Sequence, residues 1–215
     1  MSKLIVISGI DSSGKSTQIQ NIYNIYKYKY KTKIIWSRIG YTPCINFIKR
    51  IIRYFLPNTI PKSGASEYRK VVFSKKWIQF LWINFAIIDL IFFYCIYFRI
   101  LILSKYIIIA DRYIWDSYID LKIKFSNLNV DRLFLWRILV YCSPLSSNSI
   151  ILFIPIQESL SRSKKKEEPF SENYEQRKIR LRHYNEEIKK NKWDYKISGM
   201  GSIEDVWSEI KKKLL

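Results

Sequence analysis

The chain has 215 residues, 48% of them hydrophobic, so it can bury a sizeable core, and its 6 glycines and 6 prolines exclude long linkers and low-complexity segments. A formal net charge of +19 suggests a polyanionic partner (phosphates, nucleic acid or an anionic membrane surface), although the abundance of Ile, Lys, Tyr and Asn that AT-rich coding produces explains part of it. The basic residues are spread along the chain with short runs at 164–166 and 211–213, and neither zinc-finger spacing nor a basic tail marks a specific nucleic-acid partner.

Residues 3–8, "KLIVIS", are a short apolar run without helical period and predict a buried strand. The glycine-bearing segment "GIDSSGKST" (9–17) follows directly, and the apolar run before it is too short for a signal peptide. Beyond it, Ile19, Ile22, Tyr23 and Tyr26 share one helical face. "TKIIWS" (32–37) predicts a second strand, and 43–55 a helix carried by Ile45, Ile48, Ile52 and Phe55 and closed by Pro57 and Pro61. Residues 61–70 read as a polar loop. A long apolar helix is expected over roughly 75–104. Its residues 81–104 have the length to span a bilayer, but Asn84, Asp89 and Arg99 lie inside. Charges at bilayer centre are costly, so the expectation is a buried helix of a soluble domain, not a membrane span.

"YIIIA" (106–110) and "SIILFIP" (149–155) predict two more buried strands, 172–190 a charged amphipathic helix, and "YKIS" (195–198) a last strand. Ser202 with Asp205 resembles a capping box at the start of a closing helix. Cys44, Cys95 and Cys142 are odd in number, far apart and in apolar surroundings. They read as reduced, buried thiols of a cytoplasmic protein, and His183 alone builds no zinc cluster.

Strands alternating with helices specify an α/β fold, a central parallel sheet with helices on both faces. Right-handed crossovers bring the loops after Ser8, Ser37, Ala110 and Pro155 to one sheet edge. The first of these satisfies G-x-x-x-x-G-K-[ST], with Gly9, Gly14, Lys15 and Ser16 in place, between a strand and a helix. This is the setting of a P-loop NTPase three-layer fold. Glycines let backbone N–H groups converge on phosphate oxygens, and the following helix adds its N-terminal dipole. Lys15 supplies charge to the β- and γ-phosphates, and the Ser16 hydroxyl suits Mg²⁺. Binding of ATP is the expectation.

An apolar strand followed by Asp111, Arg112 and Tyr113 ("DRY"), together with Asp11 in the phosphate loop, resembles the thymidylate kinase family of P-loop nucleoside monophosphate kinases. Arg38, in "WSRIG", matches the family's arginine after the second strand. The segment "SRSKKKEEPFSENYEQRKIRLRHY" matches its basic lid and the helix that follows, with Arg162 as the first lid arginine and Arg180, Arg182 and Tyr184 on the helix. The resemblance runs nearly the whole chain in order. It implies a single kinase domain over 1–215 with a lid at about 162–173. It further implies ATP and Mg²⁺ as cofactors, with the donor phosphates held by Gly9, Ser12, Ser13, Gly14, Lys15, Ser16 and Thr17. Ser16 and Asp111 would serve the metal. Arg112 and Arg38 would clamp an acceptor phosphate bidentately, with Asp11, Phe85 and Tyr113 near the acceptor. The loop lacks an arginine, so the catalytic cation would come from the lid, whose closure excludes water. Family dimers form through helices near the long apolar segment, so a homodimer is implied as well.

The pattern departs on the acceptor side. Asp89 or Leu90 falls where the family's thymine-reading arginine stands, and Asp116, Ile119 and Asp120 replace a serine and small or aromatic residues after "DRY". Asp89, Asp116 and Asp120 suit hydroxyls or amines better than a thymine edge. The lid also lacks the family's second arginine. In this respect the chain looks like the family's divergent branch, linked to surface polysaccharide synthesis. Three readings stay open. The first is ATP-dependent transfer to a nucleoside monophosphate, dTMP by family default. The second is a kinase of a sugar or other small hydroxyl compound. The third is a non-catalytic, membrane-associated nucleotide-binding protein.

Overall fold

The computed structural model describes residues 3–42, 76–166 and 172–214, with Arg50 and Tyr54 in addition. Cys44, the loop expected at 61–70 and most of the helix expected at 43–55 lie outside the described residues; Arg50 and Tyr54 are helical and exposed. The elements in chain order are β1 (Lys3–Gly9), α1 (Lys15–Tyr26), β2 (Thr32–Trp36), α2 (Lys76–Leu90), β3 (Ile107–Asp111), α3 (Ile114–Lys124), α4 (Phe134–Cys142), β4 (Asn148–Phe153), α5 (Ile156–Lys165), α6 (Tyr174–Ile188), β5 (Tyr195–Ser198) and α7 (Ile203–Leu214). A 3₁₀ turn, Val130–Arg132, precedes α4.

The five strands form one parallel sheet in the order β2-β3-β1-β4-β5. The strands read as continuous apolar runs because both sheet faces are covered. Successive side chains point to opposite faces. Leu4, Val6, Ile108, Ala110 and Ile151 enter a core shared with the long helix, α3 and α4. Ile5, Ile7, Ile107, Ile109, Ile150 and Leu152 pack against Ile19, Ile22 and Tyr26 of α1 and Val206, Ile210 and Leu214 of α7. The Ser202–Asp205 cap of α7 is present, with Ser202 Oγ accepting from Asp205 N at 3.1 Å and Asp205 Oδ2 from Ser202 N at 3.2 Å.

Two elements differ from their sequence reading. The long helix does not stay α-helical: α2 runs on as a π-helical stretch, Ile91–Phe98, and ends in an α-helical turn, Arg99–Leu103. Every residue of "IFFYCIYF" is apolar or aromatic, so hydrophobic periodicity carried no mark of the wider winding. By length and composition this helix is apolar enough to cross a membrane. One face (Ile83, Ala86, Ile87, Leu90, Tyr94, Phe98) lies in the core, while Leu81, Ile88, Phe92, Ile96, Ile100 and Leu103 are exposed. The second difference is α6. Its buried face carries Arg177, Arg180 and Glu187 beside Tyr184, so charged side chains share the buried stripe with the apolar contacts of Tyr184, Leu181 and Ile188. Cys95 is buried and Cys142 half-buried, both as free thiols; the expectation of full burial fails for Cys142, which ends α4.

Candidate active site

The loops after β1, β2, β3 and β4 meet at the C-terminal edge of the sheet. The β2 and β3 loops are tied by hydrogen bonds from Ser37 N to Asp111 O (3.2 Å) and from Ser37 Oγ to Arg112 O (3.1 Å). Tyr94, from the π-helical stretch, places its hydroxyl 2.8 Å from Ser37 Oγ.

Two glycines of the phosphate loop are there for different reasons. At Gly9 (φ 144°) a Cβ would sit 2.5 Å from Leu152 O, so the strand could not pass β4 with any side chain. Gly14 (φ 93°) is the left-handed N-cap of α1, where a Cβ would meet nothing within 4 Å; its requirement is backbone conformation. Ser12 also has a positive φ, 59°. No side chain caps α1 and its first turn holds no acid, so its N-terminal N–H groups and dipole are free to serve an anion. Ser12 and Ser13 are buried, Thr17 is half-buried, and Ser16 is exposed.

Lys15 is buried, and its Nζ donates to Ile10 O at 2.7 Å. Burial, joined by repulsion from Arg112, brings its ammonium down to about 8, against the pull of Asp111, Asp11 and Asp116. Asp111, half-buried at the end of β3, is shifted upward by burial despite Lys15 and Arg112. Its buried Oδ1 accepts no hydrogen bond from the described residues. Among those residues no group of three or more His, Cys, Asp or Glu could hold a metal by itself. One hydroxyl (Ser16) and one carboxylate (Asp111) beside a phosphate loop do fit Mg²⁺, which keeps water and phosphate oxygens as its other ligands.

Arg112 takes a left-handed backbone (φ 74°) at the turn from β3 into α3, while its N–H still donates to Ile7 O at 3.0 Å. Its guanidinium is buried. Nη2 donates to Asp11 Oδ1 at 2.6 Å, and Nη1 lies 4.0 Å from Asp116 Oδ1. Burial opposes its charge, yet Tyr184, Asp11 and Asp116 hold it ionised, above the ordinary arginine range. Burial would raise Asp11, but Arg112, Lys15, Arg180 and Arg38 together bring it below the usual carboxylate range. Asp11 is thus the point where the loop 9–17 meets Arg112, at the end of β3.

Several side chains expected at the acceptor are engaged inside the protein. Asp116 Oδ2 accepts from Ser8 Oγ (2.6 Å) and Tyr113 N (3.0 Å), and Oδ1 accepts from the Tyr184 hydroxyl. It caps α3 and braces Arg112, with its oxygens committed. Tyr113 turns into the core: its hydroxyl donates to Pro144 O at 2.9 Å and its ring stacks on Phe98 at 5.6 Å. Asp89 is buried and accepts from Thr42 Oγ1, and Phe85, one turn before it, is exposed. Arg182 is exposed and pairs with Glu186.

A second ionic group joins α3, α6 and the loop after β2. Arg38 Nε pairs with Asp120 Oδ2 at 3.1 Å and its Nη2 with Glu172 Oε1 at 3.2 Å. Arg180 Nη2 pairs with Asp120 Oδ1 at 2.8 Å and with Glu172 Oε1 at 2.6 Å. Burial would raise Asp120, but Arg180 and Arg38 hold it well below the usual carboxylate range.

The segment expected as a lid is helical through Lys165; residues 167–171 lie outside the described residues. Arg162 sits half-exposed on α5, paired with Glu158 at 2.6 Å. The buried face of α5 docks on the phosphate loop, with Ser159 Oγ donating to Asp11 O (2.8 Å) and Ser163 Oγ 2.8 Å from Ser12 Oγ. Arg177, fully buried, donates to both serines and, through Nε, to Glu172 O at 2.8 Å. Sequence reasoning missed Ser159, Ser163, Glu172 and Arg177. The spacing of Arg177, Arg180 and Tyr184 (i, i+3, i+7) and of Ser159 and Ser163 (i, i+4) was the available signal.

Among solved structures, the chain is similar to deoxyadenosine kinase from M. mycoides. The structure with bound dATP gives a TM-score of 0.62 at 18% identity, covering 98% of each chain. The one with products dCMP and a flexible dCDP gives 0.59 at 17%, again over 98% of each. No protein-family model matches the chain, and no curated protein matches it. At this identity the likeness speaks for the fold: a P-loop three-layer α/β architecture with helices on both faces of a parallel sheet.

Proposed function

We propose that this protein is an ATP-dependent phosphotransferase with a nucleoside-type acceptor. The observation that carries the reading is the position of Asp11. It belongs to the phosphate loop beside Lys15, yet it is paired with Arg112, so donor and acceptor machinery share one charged centre. In this reading the loop 9–17 holds the triphosphate and Lys15 faces the β- and γ-phosphates. Ser16 and Asp111 would hold Mg²⁺, which would supply neutralisation of phosphate charge. An acceptor oxygen attacks the γ-phosphorus in line as the bond to the β-phosphate oxygen breaks. Arg112 and Arg38 orient the acceptor, and Arg162 and the lid at about 162–173 close over the donor, all within one kinase domain spanning 1–215.

The acceptor is a nucleoside monophosphate, dTMP by family default. A hydroxyl acceptor is the second reading. It is favoured by the carboxylates Asp11, Asp120 and Glu172, which already engage Arg112, Arg38 and Arg180. The likeness to deoxyadenosine kinase, an enzyme named for a nucleoside acceptor, supports the same reading. An ADP-release screen tests both, with nucleoside monophosphates in one arm and deoxynucleosides and sugars in the other. Turnover with monophosphates alone supports the first reading and turnover with hydroxyl compounds alone the second. ATP binding without release in either arm rejects the kinase. The proposal further places the protein in the cytoplasm, as a homodimer joined through the exposed apolar face of the long helix.

A further inference from the structure

We infer that Glu172 is a built-in counter-anion of the acceptor clamp, which an acceptor carrying a phosphate must displace and an uncharged acceptor need not. The inference rests on the phosphotransferase reading only for the location of the acceptor.

Glu172 meets Arg180 as a fork meets a fork: Oε1 is 2.6 Å from Nη2 and 3.1 Å from Nε, and Oε2 is 2.9 Å from Nε. The same Oε1 bridges to Arg38 Nη2 at 3.2 Å. This is the geometry in which arginine receives a phosphate. With Asp120 on the other side, two guanidinium and two carboxylate groups sum to zero, so the closed cluster offers no net attraction to a dianion. Removing the Glu172 charge leaves one uncompensated positive charge.

The two carboxylates are not equivalent. Asp120 is within α3 and is 1% exposed, whereas Glu172 is 15% exposed and precedes the Asn173 N-cap of α6. The backbone of Glu172 is held independently, because buried Arg177 donates to its carbonyl at 2.8 Å. Its side chain can therefore leave without unmooring α6. Two buried donors also stand ready: Arg180 Nη1 and Arg112 Nη1 donate to no described residue. The Arg112 guanidinium pairs with Asp11 of the loop after β1 at 2.6 Å, and that of Arg180 with Asp120 of α3 at 2.8 Å.

The test uses the full chain with the phosphate loop saturated by a non-hydrolysable ATP analogue, and measures dTMP and inorganic phosphate affinity by calorimetry in wild type, Glu172→Gln and Glu172→Ala. Both variants are expected to bind the two anions about tenfold more tightly, as loss of one adjacent like charge implies, with analogue affinity unchanged. Unchanged or weaker anion binding in variants that retain their melting temperature overturns the proposal. So does unfolding of both variants, which would make Glu172 a structural partner of Arg180. Because the readout is binding, it remains readable if no acceptor releases ADP; failure of the analogue to bind would instead reject the kinase reading.

Discussion

Lys15 shows what a phosphate loop costs the protein that carries it. Its ammonium is buried with a backbone carbonyl as its hydrogen-bond partner, and its pKa falls from the ordinary 10.5 to about 8. The sign of the linkage follows. Between those values the unfolded chain binds more protons than the folded one, so stability rises with pH across that window and is lowest, on account of this group, below about 8. Lys15→Met should abolish ATP binding while stabilising the ligand-free protein by on the order of 2 kcal/mol at neutral pH. Denaturant unfolding from pH 7 to 10 checks this, since the Lys15-dependent rise should vanish in the variant. A variant less stable than wild type would contradict it. At the same scale, Asp116 illustrates how a residue's partners narrow what its identity allows. It follows "DRY" and has the chemistry to meet a hydroxyl, yet Ser8, Tyr113 and Tyr184 take up its oxygens.

At the scale of elements, α6 binds the site together with charges where an ordinary helix uses leucines. Arg177 is fully buried, and among the described residues no carboxylate lies within ion-pairing distance of it. Its donors go to Ser159, Ser163 and the carbonyl of Glu172. Such a group is tolerated because every partner is fixed, and its removal leaves those partners unsatisfied. Arg177→Ala is therefore expected to destabilise the protein by about 3 kcal/mol. It should also raise the KM for ATP several-fold, because Ser159 and Ser163 connect α5 to Asp11 and Ser12. Urea unfolding and ATP titration check the two effects; stability loss without any change in ATP affinity would disconnect α5 from the loop. The π-helical stretch works in the same direction on the other side of the site. It presents Tyr94 to Ser37 and Tyr113, at 2.8 Å from the hydroxyl of one and 4.6 Å between ring centroids with the other.

At the scale of the molecule, a sheet ordered β2-β3-β1-β4-β5 places the loops after Ser8, Ser37 and Ala110 at adjacent strand ends. This order brings residues 38, 112 and 11 together from far apart in the chain. The net charge of +19 stays unfavourable to self-association unless apolar surface offsets it. The exposed row Leu81, Ile88, Phe92, Ile96, Ile100 and Leu103 is such a surface. The proposed homodimer should sediment as one, and a Phe92→Lys, Ile96→Lys variant should sediment as a monomer with its melting temperature within a few degrees of wild type. Wild type that sediments as a monomer, or that co-sediments with anionic vesicles at high salt, would reject the dimer.

Much of this protein was legible before folding. The buried strands announce themselves as apolar runs, and the phosphate loop by residues whose spacing is local: Gly9, Gly14, Lys15 and Ser16 act within one turn of chain. "DRY" likewise placed Arg112 at a strand end. These features depend on near neighbours in sequence, so sequence alone determined them. The surroundings of Asp116, Arg38 and Arg180 were decided by tertiary structure. Whether Asp116 faces a ligand or caps a helix depends on Ser8 and Tyr184, 108 and 68 residues away. Whether Arg38 and Arg180 are open or closed depends on Asp120 and Glu172, brought by other elements. A charged side chain carries the same letter in water, in a pair or in a ligand clamp. Only the packing that removes its water and supplies its partner determines which of these it is.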